Sequence, residues 1–337
     1  MNTKRSIFWI FGFALILSLA LMSFDYAVDP LCYYHCPKVD LTKRTQNVYY
    51  KVAQTAMANA DAEILVLGSS RGETTPPHWI QGMTGKKTVN LSQSGGDLLY
   101  KMSVLNVSLD AGSKVKKVIW LADYLDLVPS FTDIKMKLTP SLQAHIKDIT
   151  QKNPIQNWGL ILETLINHNT FEAAIEQLND KTSPLFLEQG MGANIDYARC
   201  EAMDFQSEIP QGDLKKNIQS SYRIFSPHVQ RPQSPEYWEL FKKQVQHLKE
   251  KNIELVLLIA PFHPKFNEKL AAEYPETKEY QKHWIADLES LAAPGVQVLN
   301  FFDGVPGDDF GSGYWNDGVH LTCKSVMRML GPQLNSP

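Results

Sequence analysis

The sequence predicts an α/β fold: a parallel five-stranded sheet with helices on both faces, a helical insertion and an N-terminal transmembrane helix. Three observations predict it. Five short apolar runs alternate with helical patterns, which is typical of a parallel sheet with crossover helices. Several of these runs are apolar at every position, as strands covered on both faces must be. The chain also opens with a long, uncharged apolar stretch.

The uncharged stretch covers residues 7–24 and follows Lys4 and Arg5. It is just long enough to cross the roughly 30 Å hydrocarbon core of a bilayer. Positive charge before it keeps the N-terminus in the cytoplasm. Residues 18–20 are similar to a signal-peptidase site, but apolar residues continue past them, which favours an uncleaved signal anchor. We therefore expect residues 1–25 to be a cytoplasmic tip and transmembrane anchor, and the rest of the chain to be exported.

The exported part is expected to contain a juxtamembrane segment and helix at residues 26–60, then one α/β domain at residues 61–337. The helical pattern of the juxtamembrane segment covers residues 41–60. Predicted strands of the domain cover residues 63–67, 87–90, 117–122, 254–260 and 296–301. Predicted helices cover residues 98–109, 237–251 and 278–291. Right-handed crossovers bring the carboxyl ends of parallel strands to one edge of the sheet, where ligand sites lie.

An insertion at about residues 128–234 interrupts the predicted strands. Its sequence is typical of helices and loops. Two interpretations are equally open at this point. The insertion could be a helical cap that packs an apolar stripe on the sheet, or a lid or docking surface for a membrane partner.

The charge of the chain excludes one class of partner. There are 33 basic and 36 acidic side chains, without a long block of like charges. A nucleic-acid-binding protein carries a basic patch or stripe, which this sequence lacks. We therefore expect no nucleic acid among the partners.

Four cysteines allow three full disulfide pairings in an oxidising compartment: Cys32, Cys36, Cys200 and Cys323. Cys32 and Cys36 lie close in sequence, so a local disulfide is the simplest interpretation. His35 lies between them, but zinc needs more ligands and haem attachment needs a different spacing. We therefore expect neither a metal nor a cofactor. Cys323 lies three residues after His320 and could be buried near the candidate site, where a thiol usually behaves as a small apolar group.

A candidate nucleophile and its base lie at opposite ends of the predicted domain. The turn 68–71, with the sequence Gly-Ser-Ser-Arg, directly follows the apolar strand, and Asp317 and His320 lie near the end of the chain. A hydroxyl on such a turn is accessible, and the carboxylate and imidazole can meet it if the strands between form one sheet. His263 is a rival imidazole after the fourth predicted strand. It has no carboxylate three residues before it, so His320 is the preferred base.

These motifs resemble the blocks of the SGNH/GDSL hydrolase superfamily. The turn 68–71 matches the G-D-S-L-like first block with Ser in place of Asp, which places the nucleophile at Ser70 rather than Ser69. Asp317 and His320 match the D-x-x-H of the last block. The resemblance implies a flavodoxin-like fold and a catalytic set of Ser70, Asp317 and His320.

The stretch 88–97 is similar to the second block of that superfamily, with a short strand, a polar glycine turn and Asp97 as a helix N-cap. The resemblance implies an oxyanion hole formed by the backbone N–H of Ser70 and that of Gly95 or Gly96. Exposed amides before a helix are well placed to stabilise a developing oxyanion.

The third block departs from the superfamily pattern. It should supply an Asn side chain after the strand 117–122, but the chain has Asp123 there. An ionised carboxylate cannot donate and is expected to repel an oxyanion, so efficient simple hydrolysis is not expected. The same departure, together with Gly-Ser-Ser in the first block, is similar to membrane-anchored SGNH-like proteins of bacterial cell-envelope polysaccharide O-acylation.

Charged residues beside the candidate nucleophile are candidates for substrate binding. Arg71 could bind an anionic sugar or phosphate group, and Asp123 would lie at the same sheet edge. Arg71 could equally form a structural ion pair with Glu73 or Asp97. Both interpretations remain open from the sequence.

The resemblance implies a membrane-anchored, extracytoplasmic serine esterase or O-acyltransferase that acts on a cell-surface glycan. It implies a single-pass protein of the bacterial inner membrane with a periplasmic domain, and a membrane-bound O-acyltransferase as donor partner. The alternative is a catalytically weak or inactive SGNH-fold protein that binds or assembles part of a polysaccharide system. A phosphodiesterase is disfavoured because the sequence lacks a metal-ligand cluster.

Overall fold

The computed structural model describes residues 3–36, 38–41, 45–128, 136, 138–152, 164–165, 168–177, 188–191, 211–305 and 315–334. The chain begins with helix α1, Thr3–Val28. The segment Phe8–Val28 has a mean hydropathy of 1.9 and, within the described part of the chain, is the one helix long and apolar enough to cross a membrane. Its large apolar side chains are exposed, among them Phe8 at 74%. A soluble surface rarely presents so continuous an apolar area.

A disulfide-closed loop follows α1. Cys32 and Cys36 form the local disulfide that the sequence favours. The carboxylate of Asp29 accepts the backbone N–H groups of residues 33–35, so hydrogen bonds hold the loop as well. Asp29 and the two cysteines are also the one group of metal-ligand type found among the described residues. Because both sulfurs are in the disulfide, they are not available as thiolate ligands for a metal.

Helix α2, Val48–Ala58, begins later than the predicted helix at residues 41–60. The side chain of Asn47 accepts the backbone N–H groups of Tyr49 and Tyr50 and caps the helix. A capping residue has an extended backbone, so the helix starts only after it. Residues 42–44 of the prediction lie outside the described part of the chain.

The sheet has five parallel strands in the order β2-β1-β3-β4-β5. Their bounds are Ile64–Leu67 for β1, Thr88–Asn90 for β2, Lys117–Ala122 for β3, Glu254–Ile259 for β4 and Val296–Asn300 for β5. All five predicted strands are present, and their ends differ from the prediction by one residue at most. The strand order is that of flavodoxin-like α/β folds. The predicted fold class is therefore confirmed.

The helices of the domain cover both faces of the sheet. Their bounds are Pro77–Thr84 for α3, Leu98–Asp110 for α4, Pro140–Thr150 for α5, His168–Gln177 for α6, Gln211–Val229 for α7, Pro235–Glu250 for α8, Pro264–Glu273 for α9, Thr277–Glu289 for α10 and Cys323–Leu334 for α11. Alternate residues of β1 show the two layers. Leu65 and Leu67 pack in the cluster of α2, α4 and α8, while Ile64 and Val66 pack in the cluster of α3 and α11.

The predicted insertion contributes α5, α6 and α7, and its described residues contain no strand of the sheet. Helix α6 lies against α1, where the rings of Phe24 and Phe171 are 5.7 Å apart. Helix α7 packs at the other side of the domain, against α9 and the turn after β3. The insertion therefore contacts both α1 and the edge of the sheet that carries the candidate site.

Cys323, the first residue of α11, is disulfide-bonded. The sulfur of Cys323 is therefore covalently paired and not a thiol, which agrees with the pairings that the sequence left open. Disulfides form and persist in oxidising compartments.

The candidate site lies where the order of the strands reverses. The chain passes from β1 to β2 on one side and then to β3 on the other side of β1. The two connections leave a crevice at the carboxyl ends of β1 and β3, which is where ligands bind in open α/β sheets. The turn 68–71 follows β1 and Asp123 follows β3, so both lie at this crevice.

The turn after β1 is packed too closely for side chains at its glycines. A Cβ on Gly68 would lie 2.9 Å from the Cα of Gly72 and 2.9 Å from Ser92 Oγ. The side-chain amide of Asn90 also donates to the carbonyl of Gly72 and to that of Thr75. The chain after β2 thus fixes the position of the turn that carries Ser70.

We expect Gly72→Ala to destabilise the domain. A Cβ on Gly72 would lie 3.0 Å from the Cα of Gly68 and closer still to Ser92 Oγ, so the backbone or Ser92 must shift. Overpacking of this kind costs about 1–3 kcal/mol. Thermal unfolding would measure the loss against Gly82→Ala, a control at a helical glycine where a Cβ meets nothing within 4 Å. Equal stability of the two variants would contradict the close packing.

Candidate active site

Ser70, His320 and Asp317 form a continuous hydrogen-bonded chain. Ser70 Oγ lies 2.7 Å from His320 Nε2, and His320 Nδ1 lies 2.7 Å from Asp317 Oδ2. The side chains of His320 and Asp317 are 23% and 21% exposed, so the chain is partly open to solvent. The contact that the sequence predicts between the two ends of the domain is confirmed. This arrangement matches the geometry by which an imidazole takes a proton from a serine.

Hydrogen bonds within its own loop keep Asp317 ionised and oriented. Its Oδ1 accepts the backbone N–H groups of Val319 and His320 at 2.7 and 2.8 Å. Burial alone would raise the pKa of Asp317, but these bonds and the His320 ring outweigh it and hold the pKa below its usual value. The carboxylate is therefore charged at neutral pH and can orient the Nδ1–H of His320.

Helix α7 of the insertion is hydrogen-bonded to the loop that carries Asp317 and His320. Ser221 Oγ accepts the backbone N–H of Gly318, and the side-chain amide of Asn217 donates to the carbonyl of Asn316. The ring of Phe225 meets that of His320 edge to face, with 5.7 Å between centroids. The sequence did not identify these residues, because nothing in the local pattern of α7 shows which loop it packs on.

Two cavities meet at Ser70. One is an open groove of about 350 Å³, lined by Ser70, Ser94, Gly95, Asn217, Ser220, Ser221, Ile224, Phe225, Asp317 and His320. The other is a narrow slot of about 20 Å³ that Ser70 also lines. Both have Phe225 in their walls. The candidate nucleophile therefore lines both a wide opening and a small, more enclosed space.

The predicted oxyanion glycines differ in their hydrogen bonds. Gly96 donates its N–H to the carbonyl of Gln93 at 2.8 Å and closes a turn, so its amide is occupied. Gly95 is the third residue of this turn and has φ of 75°, a conformation that favours glycine. The carbonyl of Ser94 accepts from Tyr49 Oη. Because a trans peptide points its C=O and N–H in opposite directions, the Gly95 N–H points away from Tyr49.

Of the two glycines, Gly95 is therefore the better candidate for the predicted oxyanion hole, which stays a prediction. Gly95 lines the groove together with Ser70 and His320. Glu73 fixes the turn, because its carboxylate accepts the backbone N–H of Ser94. The sequence placed Glu73 beside the nucleophile but did not show this link. The predicted N-cap is confirmed, since the Asp97 side chain accepts the N–H of Tyr100.

Arg71 forms a structural ion pair with Asp123, which is one of the two interpretations that the sequence left open. Its side chain is buried, and its guanidinium donates to Asp123 and to the carbonyls of Val319, Ala260 and Pro261. The sequence left open an ion pair with Glu73 or Asp97, and the observed partner is a third carboxylate. Arg71 thereby ties the turn after β1 to the loops after β4 and before His320.

Asp123 is held in a buried network of opposite charges. Its Oδ1 accepts from Arg71 Nη1 at 3.1 Å, and its Oδ2 accepts from Ser69 Oγ at 2.6 Å and from Lys101 Nζ at 3.2 Å. Burial opposes ionisation, but the charges of Lys101 and Arg71 hold the pKa of Asp123 below its usual value. Lys101 also binds both oxygens of Asp126.

This network bears on two expectations about Asp123. Both of its oxygens accept from protein donors, which favours a structural role, and its role in substrate binding stays a prediction. Two cations neutralise its charge, so it does not act as an uncompensated repulsive charge on an oxyanion. It also supplies no donor in place of an Asn, and that part of the expectation stands. Lys101 was missed because a lysine in a helix is usually exposed, whereas this one is fully buried.

His263 has a structural role in these contacts. Its Nδ1 accepts the backbone N–H of Lys265 and caps α9, and its ring lies 5.2 Å from that of Trp315. Burial lowers the pKa of His263. The imidazole that contacts Ser70 is that of His320, in agreement with the preference drawn from the sequence.

No family model and no curated protein matches the chain. A solved structure from Streptococcus pneumonia, named as a "putative platelet activating factor", is a structural neighbour at 14% sequence identity. Its TM-score is 0.41, and the match covers 87% of this chain and 94% of that chain. The fold and the hydrogen bonds described above define the class of this protein: a flavodoxin-like α/β protein with a Ser–His–Asp chain at its switch point.

Proposed function

We propose that the protein is a membrane-anchored, extracytoplasmic serine esterase or O-acyltransferase that acts on a cell-surface glycan. The observation that carries the proposal is the 2.7 Å contact between Ser70 Oγ and His320 Nε2, with Asp317 on the other ring nitrogen. A serine becomes a strong nucleophile when a correctly oriented base takes its proton.

The reaction has two stages. His320 takes the proton of Ser70 as Oγ attacks the acyl carbonyl, and the backbone N–H groups of Ser70 and Gly95 stabilise the oxyanion. The ester bond breaks, the leaving alcohol takes the proton from His320, and Ser70 carries the acyl group. Water or a glycan hydroxyl then gives its proton to His320 and attacks the acyl carbonyl. The bond from the acyl carbon to Ser70 Oγ breaks, and His320 returns the proton to Oγ.

The groove supports a glycan as acceptor. Apart from Asp317 and His320 it is lined by hydroxyl, amide, glycine and apolar groups. Uncharged hydrogen-bonding groups beside an aromatic ring, here Phe225, suit the hydroxyls and apolar faces of sugars. The anchor and the disulfides support an extracytoplasmic site at a bacterial inner membrane. A membrane-bound O-acyltransferase as donor partner rests on the family resemblance alone.

A second candidate function is a catalytically weak SGNH-fold protein that binds or assembles part of a polysaccharide system. The observation that favours it is the position of Asp123, whose oxygens are committed to Arg71, Ser69 and Lys101. One expected oxyanion donor is therefore absent from that position, and loss of one donor typically costs about 10²–10³ in rate.

Acyl transfer to a glycan tests the proposal. Full-length protein in detergent is incubated with p-nitrophenyl acetate and a neutral oligosaccharide, and the products are measured by mass spectrometry. We expect a Ser70-dependent oligosaccharide that is heavier by one acetyl group. Release of p-nitrophenol without acetylated sugar would indicate an esterase and not a transferase. If neither product exceeds the Ser70→Ala background, catalysis would be contradicted and the assembly function would remain.

We expect the domain to lie outside the cytoplasm. Lys4 and Arg5 precede the apolar helix, and the disulfide between Cys32 and Cys36 follows it. Alkaline phosphatase, which folds only in an oxidising compartment, should be active when fused after residue 337, and green fluorescent protein exported by the same route should be dark. The reverse pattern of reporters would contradict the proposed orientation.

A further inference from the structure

We propose that the narrow slot lined by Ser70 is the acyl-binding site, and that it selects a short, uncharged acyl group such as acetyl over longer acyl chains and over aminoacyl groups. The inference rests on the proposed function, because it names the acyl group of the same reaction. It is drawn from the size of the slot, the groups that line it and its position at the nucleophile.

The size of the slot limits the length of the acyl chain. Its volume is about 20 Å³, whereas a single water needs about 10–15 Å³ measured in the same way. One methyl group beyond the carbonyl fills such a space. Each further methylene must push the walls apart, and discrimination of one methylene in an apolar pocket is about 10–200-fold.

The walls of the slot are apolar and belong to packed elements. Leu125 comes from the turn after β3, Phe225 and Val229 come from α7, and Phe262 and Val319 come from the loops that Arg71 ties together. Val229 and Val319 are almost fully buried, and Phe262 lies under the Arg71 guanidinium at 4.7 Å. Walls fixed in this way resist the expansion that a longer chain would require.

The charged residues that line the slot do not favour an ammonium group. Among the described residues of the lining Asp123 is the one carboxylate, and its two oxygens already accept from Arg71, Ser69 and Lys101. The Arg71 guanidinium would also repel an ammonium. Binding of an alanyl group would therefore cost the desolvation free energy of its charge, and no partner in the slot would compensate for it. An acetyl group carries no charge and has no such cost.

The position of the slot fits the reaction. Ser70 lines both the slot and the groove, so a carbonyl carbon at Oγ can direct its short acyl part into the slot and its alcohol into the groove. The acyl part is thereby enclosed while the larger glycan remains in the open cavity. This separation lets one nucleophile accept different alcohols and a single kind of acyl group.

The test is a series of p-nitrophenyl esters with full-length protein in detergent, corrected for the Ser70→Ala background. We expect kcat/KM to fall at least tenfold from acetate to butyrate. We also expect the alanine ester to react more slowly than propionate, which has the same carbon skeleton without the ammonium. Comparable rates across the series, or preference for the alanine ester, would overturn the proposal.

Enlarging the slot separates size selection from general damage. Leu125→Ala should raise the butyrate-to-acetate ratio about tenfold or more, since truncation opens space for added methylenes. Val229→Ala is a second enlargement in case the first does not fold. Leu291→Ala, at a partly buried leucine that does not line the slot, should keep the wild-type ratio.

The outcomes distinguish this inference from the proposed function. Ser70-dependent turnover with an unchanged ratio in folded Leu125→Ala and Val229→Ala would overturn the acyl slot alone. An absence of Ser70-dependent turnover with every ester would overturn the proposed function, and the acyl slot with it.

Discussion

Ser70→Ala is expected to lower the turnover of p-nitrophenyl acetate by roughly 10³-fold or more, and the double variant with His320→Ala is expected to be no slower. The reason is that Ser70 and His320 act as one unit through a single 2.7 Å hydrogen bond. Once either partner is removed, the other has nothing left to contribute. Steady-state rates of the two single variants and the double variant, measured on full-length protein in detergent, would give the comparison.

The neighbouring serine provides the matched control for this prediction. Ser69 donates to Asp123 and does not contact His320. Ser69→Ala should therefore keep most of the wild-type turnover, provided that the protein remains folded. If Ser69→Ala removed the activity and Ser70→Ala did not, the assignment of Ser70 as the nucleophile would be wrong. Additive losses in Ser70→Ala and His320→Ala would show that the two residues act independently.

Asp123→Asn is expected to destabilise the domain by about 3–5 kcal/mol, the usual cost of breaking a buried ion pair. The substitution removes the negative charge that Arg71 and Lys101 share, and all three side chains are at most 7% exposed. Two cations would then be buried with one remaining carboxylate, that of Asp126. The loss should appear as a lower midpoint in chemical unfolding, with turnover below that of the wild type.

A surface pair provides the control for Asp123→Asn. Asp61 and Lys87 are 2.6 Å apart, but their side chains are 59% and 37% exposed. Asp61→Asn makes the same chemical change where water can replace the partner, so it should cost less than about 1 kcal/mol. Equal effects of the two substitutions would contradict the structural role of the network. Faster turnover in a stable Asp123→Asn protein would instead show that the missing Asn donor limits the reaction.

The strands could be predicted because their signal is local. In β3 and β4 the apolar residues are consecutive, and a strand covered on both faces requires that pattern over its whole length. The order of strands and helices then allowed few arrangements of the sheet. With the sheet fixed, the two ends of the domain had to meet at one edge, which is why Ser70 and His320 could be paired across a separation of 250 residues.

The partners of the charged residues could not be predicted in the same way. Arg71 and Asp123 are 52 residues apart, and their pairing depends on the adjacency of β1 and β3 and on side-chain conformations. Lys101 joins them only because α4 packs over that edge. Glu73 and Asp97 are closer to Arg71 in sequence but have other partners. Glu73 accepts the backbone N–H of Ser94 in the turn before α4, and Asp97 caps the start of α4.

The role of the insertion was equally inaccessible from the sequence. Helix α7 packs on the core, as expected of a cap, and contacts the loop of His320, while a lid or docking surface for a membrane partner stays a prediction. Tyr222 and Val229 pack in the core, whereas Asn217 and Ser221 bind the loop of His320. A helical period reports which residues share a face of the helix, but not which loop that face contacts.

The central claim is that Ser70 is a nucleophile activated by His320, and reaction with a fluorophosphonate tests it most directly. An activated serine displaces fluoride and retains the phosphonyl group, so peptide mass spectrometry locates the adduct. We predict one adduct on Ser70 in the wild-type protein, much less in His320→Ala, and none in Ser70→Ala. An unmodified Ser70 in folded wild-type protein, or equal modification of Ser70 in His320→Ala, would contradict the claim.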